Sequence, residues 1–219
     1  MPFRSSADAV SPAAASEVVR DAVAHMVRQF ADPFAFYREL VQNSIDAGAT
    51  AIDVRIHWEP GDDDRGVLRV TVGDDGCGMS LDIIERCLLV VFRSSKEGDK
   101  TKIGKFGVGF FSIFAVAPEL VIVDTGRGED GLRVRIAPDH SYEIERTAVR
   151  KGTAVTLLVA MERERVDPFV ESSVAALEKW CPHVEVPLNL VADRVQLVTR
   201  EAQPNAAGSA NAANDGASI

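Results

Sequence analysis

Glu39, Asn43 and Asp46 stand at positions i, i+4 and i+7 of the segment FYRELVQNSIDAGAT, which begins at Phe36. On a helix these three polar groups share one face. An amide four residues after one acid and three before another suits a site for a metal ion and a water molecule. Mg²⁺ takes few protein ligands, keeps several waters and leans on substrate phosphates, so one Asn oxygen beside a triphosphate is chemically sufficient. Glu39 is then the group available to activate an attacking water. The same row also fits a solvated stripe on an amphipathic helix, with Leu40, Val41 and Ile45 supplying the apolar side.

A second segment, VLRVTVGDDGCGMS from Val67, alternates Leu68, Val70 and Val72 and then breaks into two glycines one residue apart. This reads as a half-buried strand ending in a sharp turn. Gly76 and Gly78 would permit positive φ angles and close approach of a flat ligand, while Asp74 offers a carboxylate acceptor suited to an exocyclic amine. An ordinary Asp-Asp-Gly turn accounts for the same residues. A third segment, KIGKFGVGFFSIFAV from Lys102, places Gly104, Gly107 and Gly109 before an apolar run of helical length. Phosphate oxygens bind at such helix starts, where N–H groups are unpaired and the helix dipole is positive. The order of glycines is not the dinucleotide fingerprint, and no Gly-Lys-Ser/Thr follows as in a Walker loop.

Taken together, these segments closely resemble the GHKL superfamily of ATP-binding domains, which unites gyrase B, the ninety-kilodalton heat-shock chaperone, histidine kinases and MutL. Glu39-Leu-Val-Gln-Asn43-Ser-Ile-Asp46-Ala-Gly-Ala resembles the MutL and MORC form of the N box. Asp74-Asp-Gly76-Cys-Gly78 resembles the first glycine box, and Gly104-Lys-Phe-Gly107-Val-Gly109-Phe-Phe-Ser112 is most similar to the chaperone's second. Lys151-Gly152-Thr153 resembles the last box. The likeness spans roughly residues 16–190.

The resemblance implies ATP and Mg²⁺ as ligands, Glu39 as general base, Asn43 as the Mg²⁺ ligand and Asp74 as the adenine acceptor. Thr153 would lie close to Asp74, and Gly107, Val108 and Gly109 would give backbone N–H groups to phosphates. Asp46, Gly76, Gly78, Met79, Phe106 and Phe110 would complete the nucleotide contacts. Histidine kinases lack a carboxylate base at the position of Glu39, which favours hydrolysis over phosphotransfer to protein. The resemblance also makes the stretch of about residues 80–104 a lid. Arg93, Lys96, Lys100, Lys102 and Lys105 cluster there and at its edge, and Lys96 and Lys105 are the expected triphosphate contacts. A solvated basic loop fits the same residues. Ser94-Ser95-Lys96 resembles the MutL and MORC lid, and the lid is shorter than the chaperone's.

The remaining chain must position these groups. Helices are expected at residues 16–30, capped by Ser16 and with His25 packed at its edge, and from Asp167-Pro168 to Trp180. Strands are expected at Ile52 to Trp58, Leu68 to Val72, Leu120 to Asp124, Leu132 to Ile136 and Ala154 to Val159. Alternating strands imply one packed and one exposed sheet face. The expected fold is therefore α+β, a two-layer α/β sandwich of the Bergerat type with a mixed sheet and helices on one face. Residues 1–15 read as a flexible segment, 16–200 as the ATP-binding domain, and 201–219 as a disordered tail rich in Ala, Asn, Gly and Ser.

With 24 basic and 33 acidic residues the net charge is −9 across 219 residues, enough chain for one good core. That balance disfavours direct nucleic-acid binding by the isolated domain, because phosphate contacts dominate such affinity. Cys77, Cys87 and Cys181 lack metal spacing, so reduced thiols and a cytoplasmic setting are expected. Cys77 reads as a filler residue, with reactivity as the alternative. No run approaches membrane-spanning length. Chaperone and MutL members carry a second domain that lends a basic side chain to the γ-phosphate, and none follows in these residues. The expected function is slow Mg²⁺-dependent ATP hydrolysis, weak in isolation, with lid closure driving a chaperone-like or MutL/MORC-like output. The alternative is a nucleotide-gated interaction module that needs a partner to complete the site. A protein partner or client and a nucleotide-dependent homodimer are the expected associations. A protein kinase of the anti-sigma or histidine kinase type is a third reading, disfavoured by the Asp-Ala-Gly-Ala continuation after Ile45.

Overall fold

The computed structural model describes residues 32–89, 109–182 and 184–192, residues 25 and 28, and the backbone of 195–200. The segments expected at 1–15 and 201–219, most of the helix over 16–30, and the lid beyond residue 89 lie outside the described residues. So do Lys96, Lys105, Phe106, Gly107 and Val108.

One eight-stranded sheet carries the fold, in the order β5-β4-β3-β6-β2-β1-β7-β8. Its strands are β1 (Ile52–Pro60), β2 (Arg65–Asp74), β3 (Leu120–Arg127), β4 (Asp130–Ile136), β5 (Tyr142–Thr147), β6 (Gly152–Glu162), β7 (Leu188–Ala192) and β8 (Val195–Arg200). β1 and β7 run parallel, and the other neighbouring pairs are antiparallel. The sheet is therefore mixed, as expected from the sequence.

Register puts the apolar residues in line on one face. Val54 lies beside Val72, Val72 beside Val155, Val155 beside Val123, and Val123 beside Val134. All five are buried. Because side chains alternate along each strand, the next residues, Asp53, Arg55, Thr71, Asp124 and Arg133, point to the opposite face. There they pair with one another or with neighbours: Thr71 with Thr156 at 3.0 Å, and the Arg133 Nε donates to Asp124 at 2.6 Å.

The apolar face is covered by α1 (Phe36–Asp46), by α2 (Leu81–Ile83) with the π-turn Ile84–Leu88, by the 3₁₀ helix Gly109–Val116, and by α3 (Val166–Trp180). Phe36, Tyr37, Leu40 and Val41 of α1 are buried against this face with Phe111, Ile113, Phe169 and Leu177. Pro168 is accommodated because it falls in the first turn of α3, where its missing N–H breaks no helical bond.

Several local expectations change. The apolar run after Gly109 is a 3₁₀ helix, Gly109–Val116, whose tighter winding brings Phe110, Phe111 and Ile113 all into the core. Ile45 is 37% exposed, and Ser44 holds the inward position instead. Its hydroxyl shares its one hydrogen there between Leu40 O at 3.0 Å and Asp74 Oδ2 at 3.1 Å. His25 is exposed rather than packed. No helix among the described residues is long and apolar enough to cross a membrane.

Candidate nucleotide site

α1 from Glu39 onward, the end of β2, the turn after it, Leu88 of the π-turn, the first two residues of the 3₁₀ helix, Val123 of β3 and the start of β6 meet around one cleft of about 380 Å³. Of the residues singled out from sequence, Glu39, Asn43, Asp46, Asp74, Gly78, Met79, Gly109, Phe110 and Thr153 line it. Val72, Val123 and Val155, side by side on the packed sheet face, form an apolar wall with Leu40 and Leu88. A flat heteroaromatic ring suits such a wall, with polar groups only at its edge.

Asp74 is the best-organised of those polar groups. Its Oδ1 accepts from the N–H of Gly76 at 2.9 Å and of Thr153 at 3.2 Å, while Oδ2 accepts from the Ser44 hydroxyl at 3.1 Å. Oδ2 therefore carries the larger unused acceptor capacity. Thr153 faces Thr125 across the β3–β6 register, with their hydroxyls 2.9 Å apart, and Thr125 Oγ1 also accepts from the Met79 N–H at 2.9 Å. Thr125 and Ser44 were not recognisable from the sequence, since a lone hydroxyl within a strand or helix carries no spacing signal.

Gly76 does not line the cleft, and its φ is not positive. A Cβ there would come within 2.9 Å of both the Cβ and the carbonyl oxygen of Ala47, so glycine is needed for closeness to α1 rather than for conformation. Gly78 (φ +63°) and Gly152 (φ +77°) do adopt the left-handed region, and a side chain at Gly152 would also overlap the Asp74 carbonyl oxygen. Gly152→Ala is expected to lower stability by about 2 kcal/mol or more, read as a fall in the urea midpoint with an unchanged slope.

Glu39 lies at the other end of the cleft. Arg38 holds its Oε1 with two donors, Nε at 2.9 Å and a terminal nitrogen at 2.5 Å. The Arg38 guanidinium in turn sits 5.2 Å from the ring centroid of Trp180. Oε2 faces Gly109, where any Cβ would overlap it. Among the described residues, Arg38 thus orients the carboxylate through one oxygen and no donor reaches the other. Asn43 projects from α1 between Glu39 and Asp74, exposed at the cleft. Among the described residues there is no group of three or more His, Cys, Asp or Glu that could hold a metal ion. The donor set, one amide oxygen in a cleft open to phosphates, fits Mg²⁺, which takes most of its ligands from water and nucleotide.

Asp75 turns away from the cleft. Its Oδ1 accepts from the N–H groups of Thr50 at 2.6 Å and Ala51 at 3.0 Å, and its Oδ2 from the Thr50 hydroxyl at 2.5 Å and Lys151 Nζ at 3.4 Å. The Thr50 hydroxyl first, then the two N–H groups and Lys151, hold this carboxyl well below the usual carboxylate range. A depressed folded pKa stabilises the fold above the unfolded value of about 3.9, and that contribution fades as pH falls toward the folded one. The melting temperature of the wild type should therefore exceed that of Asp75→Asn at neutral pH, with the gap narrowing progressively below about pH 4.

An apolar slot with one carboxylate at one end and a carboxylate beside an amide at the other suits a nucleotide. The chain belongs to the family described as "Histidine kinase-, DNA gyrase B-, and HSP90-like ATPase", whose model matches residues 35–154. It is 29% identical over 188 residues to the "Chaperone protein HtpG" of Methylococcus capsulatus, covering 71% of this chain and 28% of that protein. It is 30% identical over 207 residues to the protein of the same name from Chlorobium phaeovibrioides, covering 82% and 32%. For that of Gluconobacter oxydans the identity is 26% over 226 residues, covering 91% and 34%. The chain thus spans about a third of the length of these curated relatives.

Proposed function

We propose that this domain binds ATP with Mg²⁺ and hydrolyses it slowly, with Glu39 as general base. The observation that carries the reading is that Glu39, Asn43, Asp74 and Thr153, separated by more than a hundred residues of sequence, line one cleft with an apolar wall. Asp74 Oδ2 accepts the adenine amine, and the apolar wall takes the ring. Asn43 supplies the protein oxygen to Mg²⁺, whose charge offsets that of the phosphates. Glu39, held by Arg38 through one oxygen, takes the proton of the attacking water through the other. Gly107, Val108, Lys96, Lys105 and Phe106 belong to the same proposal as phosphate and lid contacts of a lid over about residues 80–104.

By likeness to relatives named chaperone proteins, the output is a conformational change acting on a client protein in the cytoplasm, with dimerisation of the whole protein. The second reading is a nucleotide-gated interaction module that needs a partner to complete hydrolysis. It is favoured by the lining of the cleft, which among the described residues includes no Lys or Arg to meet the γ-phosphate. Calorimetric titration of ATP with and without Mg²⁺, alongside steady-state phosphate release, separates the two. Mg²⁺-dependent binding with repeated turnover supports the ATPase, and binding without turnover supports the gated module. No binding of ATP would overturn both.

A further inference from the structure

Asp75 sits between Asp74 and Gly76 yet does not face the cleft, so the nucleotide chemistry leaves it unused. Its carboxylate gathers four donors from two other parts of the chain: Thr50 N, Thr50 Oγ1, Ala51 N and Lys151 Nζ. Thr50 and Ala51 close the connection from α1 to β1. Lys151 precedes Gly152 and Thr153, whose N–H donates to Asp74. One side chain thus ties together the helix that carries Asn43, the turn that carries Gly78, and the strand start that carries Thr153.

The tie lies beside the adenine end of the cleft. Ala47, a lining residue, is gripped between the latch and the turn: its carbonyl accepts from the Cys77 N–H at 2.9 Å, and Gly76 packs against its Cβ. Gly48, next along, takes φ +70°, and its N–H donates to Ile45 O at 2.9 Å. The peptide from Ala47 to Ala51 has bonds at both ends, and Asp75 makes those at its far end. Glu39 lies eight residues back from Ala47, about 12 Å at the helical rise of 1.5 Å per residue.

We propose that Asp75 is a positioning residue for the nucleotide base: it latches the α1–β1 connection to the glycine turn and so sets the width of the adenine end of the cleft. This rests on the ATP-binding reading above. Because the latch acts at the base and not at the γ-phosphate, loosening it weakens ADP and ATP alike. Its strength lies in carboxylate oxygens accepting backbone N–H groups, which an amide oxygen can largely reproduce. The contact to exposed Lys151 is long and contributes little.

The test is calorimetric titration of both ADP and ATP, with Mg²⁺, into the wild type, Asp75→Ala and Asp75→Asn, with thermal melts of each. Asp75→Ala should weaken both nucleotides by the same factor, about tenfold, which corresponds to about 1.4 kcal/mol. Asp75→Asn should stay within about threefold of the wild type, since Oδ1 still accepts from Thr50 and Ala51. Unchanged affinities in Asp75→Ala would overturn the inference, as would a loss confined to ATP or an Asn variant as weak as the Ala variant. Should Asp75→Ala fail to fold, Thr50→Val, which removes only the hydroxyl arm, is expected to weaken both nucleotides by about threefold, and no change there overturns the inference. A wild type that binds neither nucleotide would instead overturn the ATP-binding reading itself.

Discussion

Glu39→Ala is expected to reduce ATP turnover by about 10²- to 10⁴-fold, the range that a positioned general base supplies, while leaving ATP affinity within a few-fold. The split follows from placement. Glu39 stands at the rim of the cleft, and among the described residues its hydrogen bonds come from Arg38, so its loss removes neither the apolar wall nor the Asp74 acceptor. Arg38 keeps a second contact through Trp180, and the backbone of α1 is unaffected by alanine, a strong helix former. Phosphate release under saturating ATP, with calorimetry as the control, reads the effect. Turnover equal to that of the wild type would remove Glu39 from the role of base. A matching fall in affinity would mean that it binds nucleotide instead.

The second large effect belongs to Asp74, and the informative variant is Asp74→Asn. Oδ1 receives two backbone N–H groups, from Gly76 and Thr153, so the variant's oxygen must take that place and its NH₂ must replace Oδ2. The Ser44 hydroxyl can turn to accept from that NH₂, because a hydroxyl both donates and accepts. The fold is therefore kept. An adenine amine, however, would meet a donor where it met a carboxylate. Losing a hydrogen bond to a charged group costs about 1.5–3 kcal/mol, so ATP affinity should fall by about 10- to 150-fold with little change in melting temperature. Affinity preserved in a folded Asp74→Asn would show that the adenine lies elsewhere. Loss of folding would show that Oδ2 is a structural acceptor first.

The strands that could be read from sequence were those with unbroken apolar alternation. Val54 and Ile56, Leu68 to Val72, Val121 and Val123, Leu132 to Ile136, and Ala154 to Val159 belong to β1, β2, β3, β4 and β6, interior strands whose packed face must be apolar whatever their neighbours are. β5, YEIERT, escaped notice because an edge strand pairs on one side only and its residues are at most half-buried. β7 escaped because its place in the sheet is set by distant β1 and five residues of Leu-Asn-Leu-Val-Ala show too short a pattern to identify, while β8 is an edge strand that pairs with β7 alone. The run after Gly109 looked like an α-helix because periodicity cannot distinguish a short apolar 3₁₀ turn from an α-helical one.

What the sequence determined by itself was the inventory of chemistry: an acid and an amide one helical turn apart, a second acid ahead of a paired-glycine turn, and a glycine-threonine pair at a strand start. Those spacings are local, set by the helical repeat and by the short reach of a turn. Which of these groups meet was decided only by the tertiary structure. The β2–β6 register brings Thr153 to Asp74, the β3–β6 register supplies Thr125 beneath it, and the return of the chain after α1 gives Asp75 three of its donors, with Lys151 ahead of β6 as the fourth. Hydroxyls such as Ser44 and Thr125 could not be picked out beforehand. A Ser or Thr gains meaning from the partner across the sheet or the helix, and that partner is chosen by long-range packing rather than by its neighbours in the chain.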